Sequence, residues 1–214
     1  MHTLLRRAQE PQAIEEAAAI LQQGGLAVFP TDTVYGVGAS ALLPKAIEAL
    51  YSVKGRSTEK AIPLLLPSHA ELVQVAREIP KIAWALAERF WPGGLTLVLP
   101  RAARLPEVLC GGGDSIAVRI PDHPVALRLL MIFGGPLATT SANLSGQTAA
   151  VTAEEAQSAL SGQVQIILDG GTAPKGIAST VLDLTSPLPK ILREGAISRA
   201  VIASFLAEHG HKLI

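Results

Sequence analysis

Short apolar runs alternate along the chain with segments whose apolar residues recur every three or four positions, the spacing of one helix face. Leu26–Phe29, Ile62–Leu66, Leu95–Leu99, Ser115–Ile120, Leu137–Thr140, Val164–Leu168, Thr180–Leu184 and Lys190–Leu192 read as strands. Within Ser115–Ile120 the alternation is strict: Ile116, Val118 and Ile120 share one face and Arg119 takes the other. Helical spacing runs from Pro11 to Gln23 and from Pro44 to Gly55. It returns through Ile82, Leu86 and Phe90, across Pro124–Phe133, across Thr152–Leu160, and from Ser198 to Glu208. The punctuation fits: Gly24-Gly25 stops the first helix, Pro44 opens the second, and Ser68–Glu71 and Thr152–Glu155 have the capping-box pattern. Strands alternating with helices, with no linker-like stretch between them, predict an α/β (α+β) fold in one domain. Its bounds are taken as residues 8–207, with 1–7 and 208–214 as terminal tails.

Composition narrows the class. Of 214 residues 49% are hydrophobic, enough for a packed core, so intrinsic disorder is excluded. Lys+Arg and Asp+Glu each number 18, and a neutral chain is a poor candidate for a nucleic-acid coat that works through phosphate contacts alone. The single cysteine, Cys110, excludes an internal disulfide and a cysteine zinc site, and it fits a reducing compartment. No apolar run approaches the roughly 18–20 residues of a spanning helix, and no signal-peptide core follows Arg6-Arg7. A soluble, cytoplasmic protein without a membrane partner is expected.

Several familiar patterns fall away on inspection. Gly36-Val37-Gly38-Ala39-Ser40-Ala41 matches a dinucleotide fingerprint as a string, but it does not open into a long helix. Lys175 lacks the following Ser or Thr of a phosphate-binding loop. Cys110, without an evident histidine partner, reads as a small or partly buried thiol, and His209-Gly210-His211 in the tail makes a poor metal site.

Four groupings remain. Pro30-Thr31-Asp32-Thr33-Val34-Tyr35-Gly36, at a strand end, reads either as a hydrogen-bonding shelf or as a turn that caps its own backbone. Lys54-Gly55-Arg56 with Lys60 concentrates cations in a helix-to-strand connection, as an anion site or as a solvated loop. Arg119 faces either a cleft or solvent. Thr140-Ser141-Ala142-Asn143-Leu144-Ser145-Gly146, Ser179-Thr180 and Arg193-Glu194-Gly195 place polar residues at strand ends, where open sheets carry ligands. Together they predict a cleft for a polyanion and a small polar molecule.

These segments, with Trp91-Pro92-Gly93, Leu95-Thr96 and Arg119-Ile120-Pro121, resemble in order the motifs of the YrdC-like family, from Pro11 to Leu206. The resemblance implies a twisted open mixed sheet with a concave, positively lined cleft. It also implies an L-threonylcarbamoyladenylate synthase using ATP, L-threonine and bicarbonate, with magnesium accompanying ATP and no organic cofactor or protein metal site. The adenylate would go to proteins that transfer the threonylcarbamoyl group to tRNA beside the anticodon; tRNA or double-stranded RNA is a further expected partner. A catalytically silent RNA-binding module is the alternative from another class. By resemblance, Thr33, Arg119, Ser141 and Ser179 hold threonine, while Arg56, Lys60, Ser115, Asn143 and Arg193 contact ATP. Lys54 and Arg56 form the signature catalytic pair that meets developing phosphate charge. Leu65 and Val151 depart from the family pattern, standing where relatives often carry polar residues. The chain stops soon after the last motif, so the extra C-terminal domain of longer members is expected to be missing and its lid to come from elsewhere.

Overall fold

Ten strands lie side by side in one mixed sheet in the computed structural model, which describes residues 2–55, 57–174 and 176–214. In chain order they are β1 (Leu4–Arg7), β2 (Ala27–Phe29), β3 (Gly36–Ser40), β4 (Leu64–Leu65) and β5 (Leu95–Pro100). β6 (Ser115–Arg119), β7 (Leu137–Ser141), β8 (Ile166–Asp169), β9 (Thr180–Asp183) and β10 (Lys190–Arg193) complete it. The helices are α1 (Ala13–Gln22), α2 (Pro44–Lys54), α3 (Leu72–Val75), α4 (Lys81–Phe90), α5 (Pro124–Phe133), α6 (Ala153–Leu160) and α7 (Arg199–Glu208). Across the sheet the order is β1-β8-β2-β3-β7-β4-β6-β5-β9-β10. None of the described helices is long and apolar enough to cross a membrane.

Strand alternation divides the side chains between two cores. On one face Val28, Val37, Leu64, Leu97, Val118 and Leu182 are fully buried with Ile47 and Leu50 of α2, Leu86 of α4, Leu160 of α6 and Ile202 of α7. The other face has a smaller core, in which Phe29, Leu137, Ile166 and Leu168 pack against Ile14 and Leu21 of α1 and Leu129 and Leu130 of α5. Each buried aliphatic side chain contributes about 1.5–3 kcal/mol. The smaller layer covers the β1–β8–β2 side and reaches only to Leu65 and Leu137. Beyond it, that face presents Ser141 and Thr139 of β7, Ser115 and Arg119 of β6 and Thr96 of β5. This uncovered face holds the cleft.

The structure departs from the sequence reading at four places. Residues 4–7, expected in a tail, form β1 and pair in parallel with β8, Leu4 opposite Ile166. Leu4 packs against the smaller core, and Arg6 bonds Glu16 of α1 at 3.0 Å. The C-terminal tail also docks: the Ile214 amide donates to the Pro189 carbonyl at 3.0 Å. The dismissed glycine string is β3, antiparallel to both β2 and β7. A Cβ on Gly36 would sit 2.8 Å from Thr139 Cγ2, so the strand approaches its neighbour as only glycine allows. Finally, Ser68 makes no side-chain cap, and a short 3-10 turn at His69–Glu71 replaces the expected capped helix start. At α6 the Thr152 hydroxyl does accept from the Glu155 amide at 3.2 Å.

His123 supplies a cap of another kind. Its ring Nδ1 accepts from the Val125 amide at 3.3 Å at the start of α5, which requires that nitrogen to be unprotonated. Burial pushes this imidazole below its ordinary value, against the opposing pull of Asp32 and Asp122. The unfolded chain therefore takes up this proton first. Stability from this group is complete above about pH 6.5 and falls as the pH drops below it. Stability is expected to fall between about pH 7.5 and 5.5 in part through this cap, and His123→Asn, which caps without titrating, to flatten that dependence; denaturant midpoints at the two pH values check it. An equal slope in the variant would show that the cap does not govern it.

Candidate active site

The cleft is a cavity of about 260 Å³ lined by Thr31, Thr33, Thr96, Arg119, Ser141, Ser179 and Arg193, with Ala61, Pro63 and Leu65 as an apolar wall. A larger cavity of about 390 Å³ lies between the 142–150 segment and α6, and of the candidate residues it contains only Asn143. Charge and hydroxyl groups converge in the smaller one, which is therefore the chemical site.

Arg119 is its centre. Strand alternation turns this side chain away from Val118 and Ile120 and onto the cleft face, where it is 5% exposed, so the solvent reading fails. Leu65 lies beside it in parallel register. The guanidinium donates through Nε to the Gly93 carbonyl at 2.7 Å, through Nη1 to Thr33 Oγ1 at 3.0 Å, and through Nη2 to Asp32 Oδ1. A guanidinium has five N–H groups. Three are fixed on protein acceptors, two from the adjacent Asp32 and Thr33 and one from Gly93, and one N–H on each Nη is left for a carboxylate. Burial draws the group below its usual range, and Asp32 beside it pulls it back, so it remains a cation.

Both readings of the Pro30–Gly36 segment are realised, by different threonines. Thr31 is the turn: its hydroxyl donates to the Val34 carbonyl at 2.7 Å and accepts from the Thr33 amide at 3.2 Å. Because the Thr31 proton is committed, the 3.0 Å contact between the two hydroxyls has Thr33 as donor. Thr33 Oγ1 thus donates to Thr31, accepts from Arg119, and keeps one lone pair for an incoming donor such as an amine. Tyr35 anchors the far wall, its hydroxyl donating to the Gly171 carbonyl at 2.6 Å; burial pushes this phenol up to about 12.

Ser179 and Arg193 form the opposite rim. The Ser179 hydroxyl lies 2.8 Å from Thr96 Oγ1, and Arg193 donates to the Ser179 carbonyl at 3.1 and 2.8 Å. Gly195 makes this packing possible, since a Cβ there would stand 2.2 Å from the Ala178 carbonyl oxygen.

Lys54 differs from expectation. It ends α2 and is 3% exposed, and it does not line the cleft. Its ammonium donates to the Ser141 carbonyl at 2.5 Å, to the Asn143 carbonyl, and to Asn143 Oδ1 at 3.0 Å. Its own carbonyl accepts from the Ser145 amide at 2.9 Å. Lys54 thus fixes the loop after β7, a task its motif does not announce. The Asn143 side chain is engaged in the same loop, donating to the Leu144 and Gln147 carbonyls at 2.9 and 2.7 Å, so both ends of its amide are used within the protein. Ser115, half-buried, begins β6 on the same face as Arg119, and Lys60 is exposed; neither lines the cavity. Arg56 lies outside the described residues. Cys110 is buried, which pushes its thiol up and agrees with an inert packing role. Sequence reasoning missed Asp32 and Thr96 as site groups. Asp32 stood inside a motif already singled out, but only its contact 87 residues away reveals its task.

The Sua5/YciO/YrdC family model, described as telomere recombination, matches residues 19–195. The chain is 40% identical over 204 residues to the threonylcarbamoyl-AMP synthase of Pyrococcus abyssi, covering 95% of this chain and 60% of that protein. To the threonylcarbamoyl-AMP synthase of Vibrio cholerae it is 35% identical over 184 residues, covering 85% of this chain and 97% of the other. A crystal structure of Pyrococcus abyssi Sua5 complexed with L-threonine matches with a TM-score of 0.93 at 37% identity, covering 100% of this chain and 63% of that one. The chain thus spans less than two thirds of the Pyrococcus abyssi protein.

Proposed function

Because the chain belongs to the Sua5/YciO/YrdC family, we propose that it joins L-threonine, bicarbonate and ATP into L-threonylcarbamoyladenylate, releasing diphosphate and water. The observation that carries this reading is the buried, pre-oriented Arg119 guanidinium at the floor of a hydroxyl-lined cleft. Its two remaining N–H groups match an amino-acid carboxylate. Thr33 offers a lone pair to the amine, and Ser141 and Ser179 stand within the same cavity for the remaining polar atoms.

The deprotonated amine adds to the carbon of bicarbonate, water leaves, and a carbamate oxygen attacks the α-phosphorus as diphosphate departs. Carbamate and triphosphate are both anionic. Bringing them together needs fixed cationic charge and in-line positioning more than a dedicated base. Arg193 on the rim would meet the nucleotide, and the family resemblance assigns Arg56 and Lys60 to the same ligand. Ser115 lies four residues along β6 from Arg119, about 13 Å on strand geometry, at the nucleotide end of the same face. ATP enters as its magnesium complex. The ion would be liganded mainly by phosphate oxygens and water. The product would pass to cytoplasmic proteins that transfer the threonylcarbamoyl group to tRNA.

Diphosphate release tests the proposal directly. With ATP, magnesium and a panel of amino acids, release is expected only when bicarbonate and L-threonine are both present, with serine much weaker. Release without bicarbonate, or equal release with every amino acid, would overturn it.

A further inference from the structure

We infer that Asp32 is the positioning residue for the amino-acid carboxylate site, acting through Arg119; the inference rests on the reading proposed above. Asp32 is 2% exposed, and its Oδ1 accepts from both Arg119 Nη2 and the Asp122 amide, the latter at 3.0 Å. The ion pair is nearly dry, with side-chain exposures of 7% for Arg119 and 3% for Asp32. One carboxylate oxygen therefore ties the loop before β3 to both the last residue of β6 and the turn that leads into α5.

The geometry gives Asp32 two tasks. First, it fixes the plane of the guanidinium. Gly93 holds Nε and Thr33 holds Nη1, while Asp32 holds Nη2; with all three in place the outer edge of the fork points one way. Without the third point the group rotates about Cδ–Nε, and the two unused N–H groups no longer present a parallel pair. Bidentate recognition depends on that parallel geometry. Second, its charge balances Arg119 when the cleft is empty, so a cation is kept in a buried site without recruiting another anion. Asp32 itself does not line the cleft. Its contact with the cleft runs through Arg119.

Asp32→Asn keeps the size and an acceptor oxygen but removes the charge. It is expected to raise the threonine KM about 10- to 100-fold, the range for losing one charge-assisted contact, and to leave the ATP KM within about twofold. In an Arg119→Ala background the same substitution should change the threonine KM no further, because the residue it acts through is gone. Independent, additive effects of the two substitutions would overturn the inference, as would a parallel loss of ATP affinity, which a merely structural role would produce. If Asp32→Asn does not fold, Asp32→Glu retains the charge and displaces the carboxylate by one methylene. A wild-type threonine KM in that variant would overturn the positioning role, and a raised one would support it. Wild-type protein that released no diphosphate with threonine would instead refute the proposed function, so the two failures are separable.

Discussion

Arg119→Ala is expected to raise the threonine concentration needed for half-maximal diphosphate release by about 100-fold, the equivalent of a lost bidentate charge-assisted pair. The same substitution leaves the Asp32 carboxylate buried without its cation, which costs about 3–5 kcal/mol of stability. Both effects come from one side chain, and they separate on Arg119→Lys. Lysine restores a charge beside Asp32 and so recovers much of the stability. Its single ammonium cannot reach Gly93, Thr33, Asp32 and a substrate carboxylate in one plane, so threonine affinity stays low. Threonine saturation curves and denaturant titrations on the two variants check this. An Arg119→Lys protein with wild-type threonine affinity would reduce Arg119 to a point charge.

Lys54→Met should lose about 100-fold or more in turnover at saturating substrates, a loss that added threonine or ATP does not repair. Methionine fills a similar volume but donates no hydrogen bond. The Asn143 carbonyl and Asn143 Oδ1 would then lie buried with no ammonium to meet them, while the Ser141 carbonyl would keep the Asn143 amide. At about 1–3 kcal/mol for each unsatisfied group, less whatever the loop recovers by moving, a net destabilisation of about 3 kcal/mol follows. The loop starts directly after Ser141, the last residue of β7, so displacing it alters the cleft at its wall. Activity loss and loop loosening are expected together, with faster amide exchange at Ser145, whose amide bonds the Lys54 carbonyl. A variant that lost turnover while Ser145 stayed protected would return Lys54 to a direct role at phosphate.

How much of this was legible in the sequence depended on range. Local periodicity located α1, α2, α4, α5, α6 and α7 and most strands, because a helix face or a strand face is written within ten residues. β3 escaped because glycines at positions 36 and 38 have no apolar side chains to mark a face, and the reason for them is close approach across the sheet, of Gly36 to Thr139 and of Gly38 to Phe29. β1 escaped because two of its four residues are arginines, one facing Glu16 and the other exposed at the sheet edge. The site divides in the same way. Thr33, Arg119, Ser141, Ser179 and Arg193 are assigned by the family resemblance, and the structure gathers them at one cavity. The division of labour was hidden, since nothing local distinguishes a lysine that faces ligand from one that braces three carbonyl-type oxygens 87 and 89 residues away.

The shortest strand shapes what the protein becomes when it is occupied. β4 is two residues long, and among the described strands it alone joins the β1–β8–β2–β3–β7 leaf to the β6–β5–β9–β10 leaf. Further bonds stitch this margin, such as the Leu66 amide to the Arg119 carbonyl at 2.9 Å and the Thr139 amide to the Pro63 carbonyl at 2.8 Å, and the Arg119 guanidinium crosses it to Asp32 and Thr33. Thr33 and Ser141 stand on one leaf, and Arg119, Ser179 and Arg193 on the other. A molecule gripped by both sets is a rivet through the spine of an open book. A ligand at a hundred times its dissociation constant adds about 2.7 kcal/mol to the folded state, and here that gain falls where the binding between the leaves is narrowest. The filled protein is accordingly a stiffer object than the empty one, hardened along a single line.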